Sequence, residues 1–131
     1  MPERIRRRVL QTAFDRARDA FNRDDLEAVF ALFAGDVEYG PPPPLYEGAP
    51  LRGRDAVFDF WAGVRERYDD SNIENLSLEE ATPGCIVRRA RLSHRSSARG
   101  EELTYVIVQT TELDRGYVVR QVNVLETDTR L

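Results

Sequence analysis

The sequence predicts an α+β fold in which a strongly curved antiparallel sheet wraps around three N-terminal helices. Three observations predict it. Up to about residue 70 the apolar residues recur every three or four positions, the period of helices packed by one face. From about residue 72 they alternate instead, the period of strands. Helices therefore precede strands without interleaving, which argues for segregated layers.

Residues 3 to 22 carry Ile5, Val9, Leu10, Ala13, Phe14, Ala17, Ala20 and Phe21 on one stripe, an amphipathic helix of about five turns. Its first turns hold Arg4, Arg6, Arg7 and Arg8. Those charges oppose the helix dipole, so a solvated, frayed end before Val9 is expected. A second helix is expected over roughly 24 to 34, started by Asp24 and Asp25 and packed through Leu26, Val29, Phe30 and Phe33. Gly35-Asp36 ends it, and a strand begins at Val37 and runs to Gly40. The tract GPPPPLYEGAPLRG, residues 40 to 53, cannot be regular structure, because prolines lack a donor and fix φ. It is expected over the mouth of a cavity, with Leu45 or Tyr46 as its plug. A third helix over about 54 to 69 turns Val57, Phe60, Trp61, Val64 and Tyr68 to one side.

Strands are expected at about 73 to 82, 85 to 95, 101 to 113 and 117 to 127. Pro83-Gly84 punctuates the first pair and Asp114-Arg115-Gly116 the last. A three-residue loop with glycine third suits a type I turn closed by a G1 bulge. Leu113 then faces Tyr117, with Ile107 opposite Asn123, Gln109 opposite Gln121 and Thr111 opposite Val119.

Composition narrows the function classes. The 131 residues are most simply one domain, 1–131, with 41% hydrophobic and 32% charged residues, a globular balance that argues against disorder. A net charge of -4 gives nucleic-acid binding no electrostatic support. All 19 basic residues are arginine, as arginine-rich codon usage would produce. Cys85 is alone, so an intramolecular disulfide is excluded. One cysteine and one histidine would leave a zinc site to carboxylates that no spacing brings together. No metal or other cofactor is expected. Without an apolar run approaching about 18 residues, and with a charged rather than signal-like N-terminus, the expectation is a cytoplasmic protein with no membrane partner.

In the predicted hairpin the odd face carries Tyr105, Ile107, Gln109, Thr111, Val119, Gln121, Asn123 and Leu125. The even face carries Val106, Val108, Val118, Val122 and Val124. Both are too apolar for a sheet with one solvated side. Helices can cover the odd face, and a second copy of the chain is the simplest cover for the even one, so a homodimer is expected. Gln109, Gln121 and Asn123 need partners once buried. They either bond one another across the hairpin or orient a ligand in a partly apolar cavity. Tyr39 points inward with Val37, and Phe14 and Trp61 add aromatic walls or plain core. His94 shares a face with Ile86, Arg88, Ala90 and Leu92, placed toward the cavity mouth. It is the residue whose ordinary titration lies near neutrality. Arg88 is expected to pair with an acidic ligand or with Glu112.

The run FNRDDLEAVFALFAGD, then VEYG, the proline tract and GRDAVFDFWAGVRERY, resembles the start of SnoaL-like proteins. These are a branch of the nuclear-transport-factor-two-like superfamily that includes polyketide cyclases and ketosteroid isomerases. The resemblance covers nearly the whole chain in element order. It implies a cone-shaped roll with an internal pocket, and dimerisation through the sheet. Aligned on Asn22 and on Val37-Glu38, the isomerases' general-base aspartate falls at Tyr39, their oxyanion-hole tyrosine at Ala17 and their protonated aspartate at Gln109. All three positions depart from the pattern, which removes the steroid-isomerase mechanism. The glycine-threonine-histidine run of many polyketide cyclases corresponds here to SHRSSARGEE, with His94 a loose echo. The aspartate-arginine-aspartate set of limonene epoxide hydrolases is not evident.

Two functions stand at this point. One is an enzyme acting on a small hydrophobic oxygenated molecule, as cyclase, isomerase or dehydratase, with Tyr39, His94 and Gln109 as proton-transfer and polarising residues. The other is a noncatalytic ligand-binding or dimerisation module. The expected ligand contacts are Phe14, Tyr39, Tyr46, Trp61 and Arg88, with Tyr105, Ile107, Gln109, Gln121 and Asn123 from the sheet.

Overall fold

The computed structural model describes residues 3–126. Residues 1, 2 and 127–131, and with them the expected strand end at Thr127, lie outside the described residues, as do the side chains of Glu3, Arg4 and Ile5. In chain order come α1 (Glu3–Asn22), α2 (Leu26–Val29), β1 (Phe33–Gly40), β2 (Leu51–Arg52), α3 (Arg54–Arg67), β3 (Asp70–Thr82), β4 (Cys85–Ser96), β5 (Glu101–Asp114) and β6 (Tyr117–Leu125). The strands form one open, curved six-stranded sheet in the order β2-β1-β6-β5-β4-β3. Every pairing is antiparallel except β1 with β6. This is the α+β roll that the change of period at residue 70 predicts.

The core lies between the helices and one face of the sheet. Strand β4 shows why: Ile86, Arg88, Ala90, Leu92, His94 and Ser96 are all buried, and the residues between them are not. Two-residue periodicity puts all six on the helix side. Helix α1 is tied to the far edge strand by Asn22, whose Nδ2 donates to the Ile73 carbonyl at 3.1 Å while its Oδ1 accepts the Ile73 N–H at 2.7 Å. Arg65 of α3 makes a second tie. Its guanidinium donates to the Phe21 carbonyl, covers the Phe21 ring at 4.5 Å and meets Asp24 at 3.1 Å. The start of α1 is not purely solvated either, since Arg6 pairs with Glu80 of β3 at 2.7 Å.

Three sequence expectations are corrected. The second helix is one turn, Leu26–Val29, and not a segment reaching residue 34. Asp25 caps it as expected, accepting the Ala28 N–H at 3.2 Å. The chain then leaves the helix so that Phe33 can enter the core against Phe30, 4.9 Å away, while the Leu32 carbonyl accepts the Val118 N–H. Strand β1 accordingly starts at Phe33, four residues before the expected Val37. Packing overrides the helical period here, because Leu32 would gain nothing by continuing it and stays 57% exposed.

The second correction is the last hairpin. Its loop is Arg115-Gly116, both at positive φ (54° and 85°), so Asp114 faces Tyr117. Such a pair of left-handed residues matches the twist of the flanking strands. The register shifts between Glu112 and Leu113, leaving Val119 unpaired. Gln109 therefore faces Asn123, Thr111 faces Gln121 and Ile107 faces Leu125. A displacement of two residues keeps Tyr105, Ile107, Gln109, Thr111, Gln121 and Asn123 on their expected face. The bulge reverses parity only beyond it, turning Val118 inward (8% exposed) and off the outer face where alternation had put it.

The third concerns residues 40 to 53. Leu51 and Arg52 do form a short strand, pairing with Tyr39 and Glu38. Pro41 and Pro42 are the buried part of the tract, and Pro42 is fully buried. Leu45 is partly buried against the core, and Tyr46 packs edge-on against Phe60 at 5.8 Å with its hydroxyl donating to the Ala49 carbonyl.

Candidate functional site

The helix-covered face of the sheet encloses a cavity of about 50 Å³, room for a compact group of about three or four water-sized units. Tyr39 of β1, Trp61 of α3 and Arg88 of β4 line it, with Ile107, Gln109, Gln121 and Asn123 from the last two strands. These seven were expected from sequence. The remaining wall was not: Phe21, Val29, Phe30 and Pro42 on the helix side, and Ile73 and Leu92 on the sheet side. Alternation along β3 and β4 could have supplied Ile73 and Leu92. Pro42 belongs to the tract expected over the cavity mouth, where Leu45 or Tyr46 was the expected plug.

Tyr39 is 2% exposed, and its hydroxyl oxygen accepts the Trp61 indole N–H at 3.0 Å. Burial pushes its phenol up to about 12, so the group stays protonated and keeps a hydrogen to donate. The amides are fixed in a chain. Asn123 Nδ2 donates to the Gly40 carbonyl at 3.0 Å, which turns its Oδ1 toward Gln109 Nε2 at 2.9 Å. Gln121 Nε2 donates to Thr111 Oγ1 at 2.9 Å. The glutamines thus bond across the hairpin, each to its true neighbour and not to one another. Gln109 Oε1 is left buried without a partner.

Arg88 is 6% exposed. Its Nη1 donates to Asn75 Oδ1 at 3.1 Å, its guanidinium lies 5.2 Å from the centre of the Phe14 ring, and its Nε is buried without a partner. Desolvation lowers its affinity for the proton to about 10, which leaves it charged at neutral pH. The expected pairing with Glu112 does not occur, because Glu112 lies on the outer face and meets Arg120 at 2.9 Å.

His94 is not at a cavity mouth. It is 1% exposed, with Nδ1 2.8 Å from Ser71 Oγ and Nε2 2.8 Å from Tyr105 Oη, among the rings of Trp61, Tyr68 and Tyr105. Burial first, and then the Arg65 charge, lower it to about 4, so it is neutral at physiological pH. Burial likewise raises the Tyr105 phenol well above its ordinary range. Both ring nitrogens are committed, and Tyr105 is the partner of His94, away from the cavity wall. Phe14 serves the site from behind, as the surface under Arg88, and Tyr46 stays outside it. Among the described residues no group of His, Cys, Asp and Glu is arranged to hold a metal ion, and no helix is long and apolar enough to cross a membrane.

What the cavity can do follows from these groups. It offers one cation, one phenol hydrogen and one fixed acceptor against apolar walls, and its lining has neither a carboxylate nor a histidine. It can hold and polarise an oxygenated molecule more readily than it can move a proton.

Residues 14–121 match the SnoaL-like domain family. Among solved structures, an NTF2-like protein of unknown function from Burkholderia pseudomallei is similar at 22% identity, with a TM-score of 0.74 over 88% of this chain and 89% of that one. IdmH of Streptomyces antibioticus, provisionally assigned as a polyketide cyclase, is 14% identical with a TM-score of 0.70, over 88% of this chain and 91% of that one. TerC, crystallised with polyporic acid, is 19% identical with a TM-score of 0.73, over 88% of this chain and 89% of that one. No curated protein matches.

Proposed function

The chain belongs to the SnoaL-like domain family, and from that premise we propose that its internal cavity binds a small, largely apolar, oxygenated molecule. The observation that carries this reading is the Gln109 side chain. Its Nε2 is held by Asn123, its Oε1 is buried with no protein partner, and the residue is part of the cavity lining. A buried acceptor left unsatisfied costs about 1–3 kcal/mol, and a ligand donor would remove that cost. The fixed Tyr39–Trp61 pair adds a phenol hydroxyl beside Gln121 and Asn123. That neighbours of the same fold include a protein crystallised with polyporic acid supports a small-molecule role without naming this chain's ligand.

A catalytic version is the second reading, as a cyclase, isomerase or dehydratase. The observation in its favour is Tyr39, a protonated phenol able to donate to a ligand carbonyl and stabilise charge developing there. Its neighbours provisionally assigned as a polyketide cyclase and a hydroxylase lend it context. Binding is the preferred reading, because the cavity lining supplies no base.

Trp61 is the only tryptophan of the chain and lines the cavity, so its emission reports occupancy. Native mass spectrometry of the freshly purified protein should show a noncovalent mass that is lost on denaturation. Its removal should shift the Trp61 emission. A protein with no such mass, whose emission is also insensitive to oxygen compounds small enough for the cavity, would end the binding proposal.

A further inference from the structure

Arginines on the outer face of the sheet find carboxylates: Arg89 meets Glu126, Arg91 meets Glu74, and Arg120 meets both Glu38 and Glu112. Arg88, adjacent to Arg89 but on the opposite face of β4, is buried and has no carboxylate partner among the described residues. Its one hydrogen-bond partner there is a neutral amide, Asn75, and its Nε has none. Taking a guanidinium out of water is costly unless an opposite charge or a full set of acceptors replaces the water. Here the replacement is incomplete, and Arg88 is among the residues that line the cavity. Ring-face contact with Phe14 offsets part of the loss. The strand register places Arg88 directly opposite Gln109, so the orphaned donor and the orphaned acceptor belong to one neighbourhood.

We propose that the cavity's ligand is an organic anion with a single ionised oxygen group, a carboxylate or an ionised enol, seated on Arg88. This rests on the small-molecule reading and names the chemical class of the ligand. One guanidinium among walls such as Leu92, Ile73 and Ile107 suits a single negative charge on an apolar frame. A phosphate would call for more cations than the lining contains. A hydroxyl beside the anionic group would donate to Gln109 Oε1 and complete the pairing.

The test uses four probes on the intact protein, read by Trp61 emission and by thermal shift. Acetate is compared with neutral acetamide, and the enolate of malondialdehyde with neutral propanal, pairs small enough for a cavity of about 50 Å³. At least one anion should bind tenfold or more tightly than its neutral counterpart, and which anion does so separates the carboxylate from the enol. Arg88→Met should abolish that preference while the variant still melts cooperatively, since a buried, poorly compensated charge is replaced by an apolar chain of similar reach. Equal binding of charged and neutral probes overturns the anion proposal and leaves the small-molecule reading standing. A preference that survives in Arg88→Met overturns the assignment to Arg88. Binding of none of the four removes the anion proposal, and the copurified mass then decides the broader reading separately. If Arg88→Met does not fold, the stabilisation of the native protein by anion against neutral probe decides alone.

Discussion

Gln109 and His94 are both buried polar residues on the helix side of the sheet, and they illustrate opposite outcomes. His94 is satisfied on both nitrogens, while Gln109 is satisfied on one of its two polar atoms. Gln109→Leu is therefore expected to weaken ligand binding by about 1–3 kcal/mol and, because Asn123 Oδ1 loses its donor, to lower folding stability by a similar amount without unfolding the protein. Titration and chemical denaturation on the same variant check both halves. An unfolded variant whose folded fraction binds normally would make the amides a structural chain only. For His94, the folded state holds the ring at about 4 against an ordinary 6.5, so the unfolded chain takes up the proton first as pH falls. Stability from this residue is complete above about pH 6.5, is lost between 6.5 and 4, and declines no further below that. The loss is at most about 3 kcal/mol. Urea midpoints at pH 7, 5 and 4 should fall more steeply for the native protein than for His94→Gln, which lacks the titrating ring.

At the scale of elements, α1 is held to the sheet edge through side-chain bonds that a helix cannot make with its own backbone. Asn22 supplies two of them to Ile73. Asn22→Ala should cost about 1–2 kcal/mol, because both backbone groups of Ile73 then compete for water at a partly buried edge. Urea denaturation measures this, and hydrogen exchange should show Ile73 losing protection before β5 does. The long elements were legible because their periods persist: α1, α3 and β3 to β6 lie within a few residues of where spacing puts them. The short ones were not. Helix α2 and strand β2 are each too brief to show a period, and their extent is set by where Phe33 and Leu51 find partners.

Across the whole molecule, the outer face of the sheet presents Val124, 56% exposed, beside the half-buried Val106, Val108 and Val122. The expectation of a homodimer through this face stands as a proposal, resting on apolar side chains that a solvated sheet face does not ordinarily collect. Val124→Glu tests it without touching the core. The native protein should scatter light as a dimer at micromolar concentration and the variant as a monomer with an unchanged melting profile. A native monomer, or a variant dimer, would place the interface elsewhere or nowhere.

The sequence by itself determined the order of the layers and, up to the bulge at Val119, the two sheet faces, and it named seven residues that line the cavity, because local spacing repeats over many positions. It also left His94, Arg88 and Gln109 together on the inward side with no means of ranking them. The tertiary structure decided their roles. One bulge at Val119 and a two-residue turn reset which amide meets which. The convergence of Ser71 and Tyr105 closed off His94, and the absence of a carboxylate near Arg88 among the described residues left its charge facing the cavity. Whether a buried polar group is spent on the fold or left for a ligand depends on contacts between residues far apart in the chain, and these do not repeat with any period that a single sequence displays.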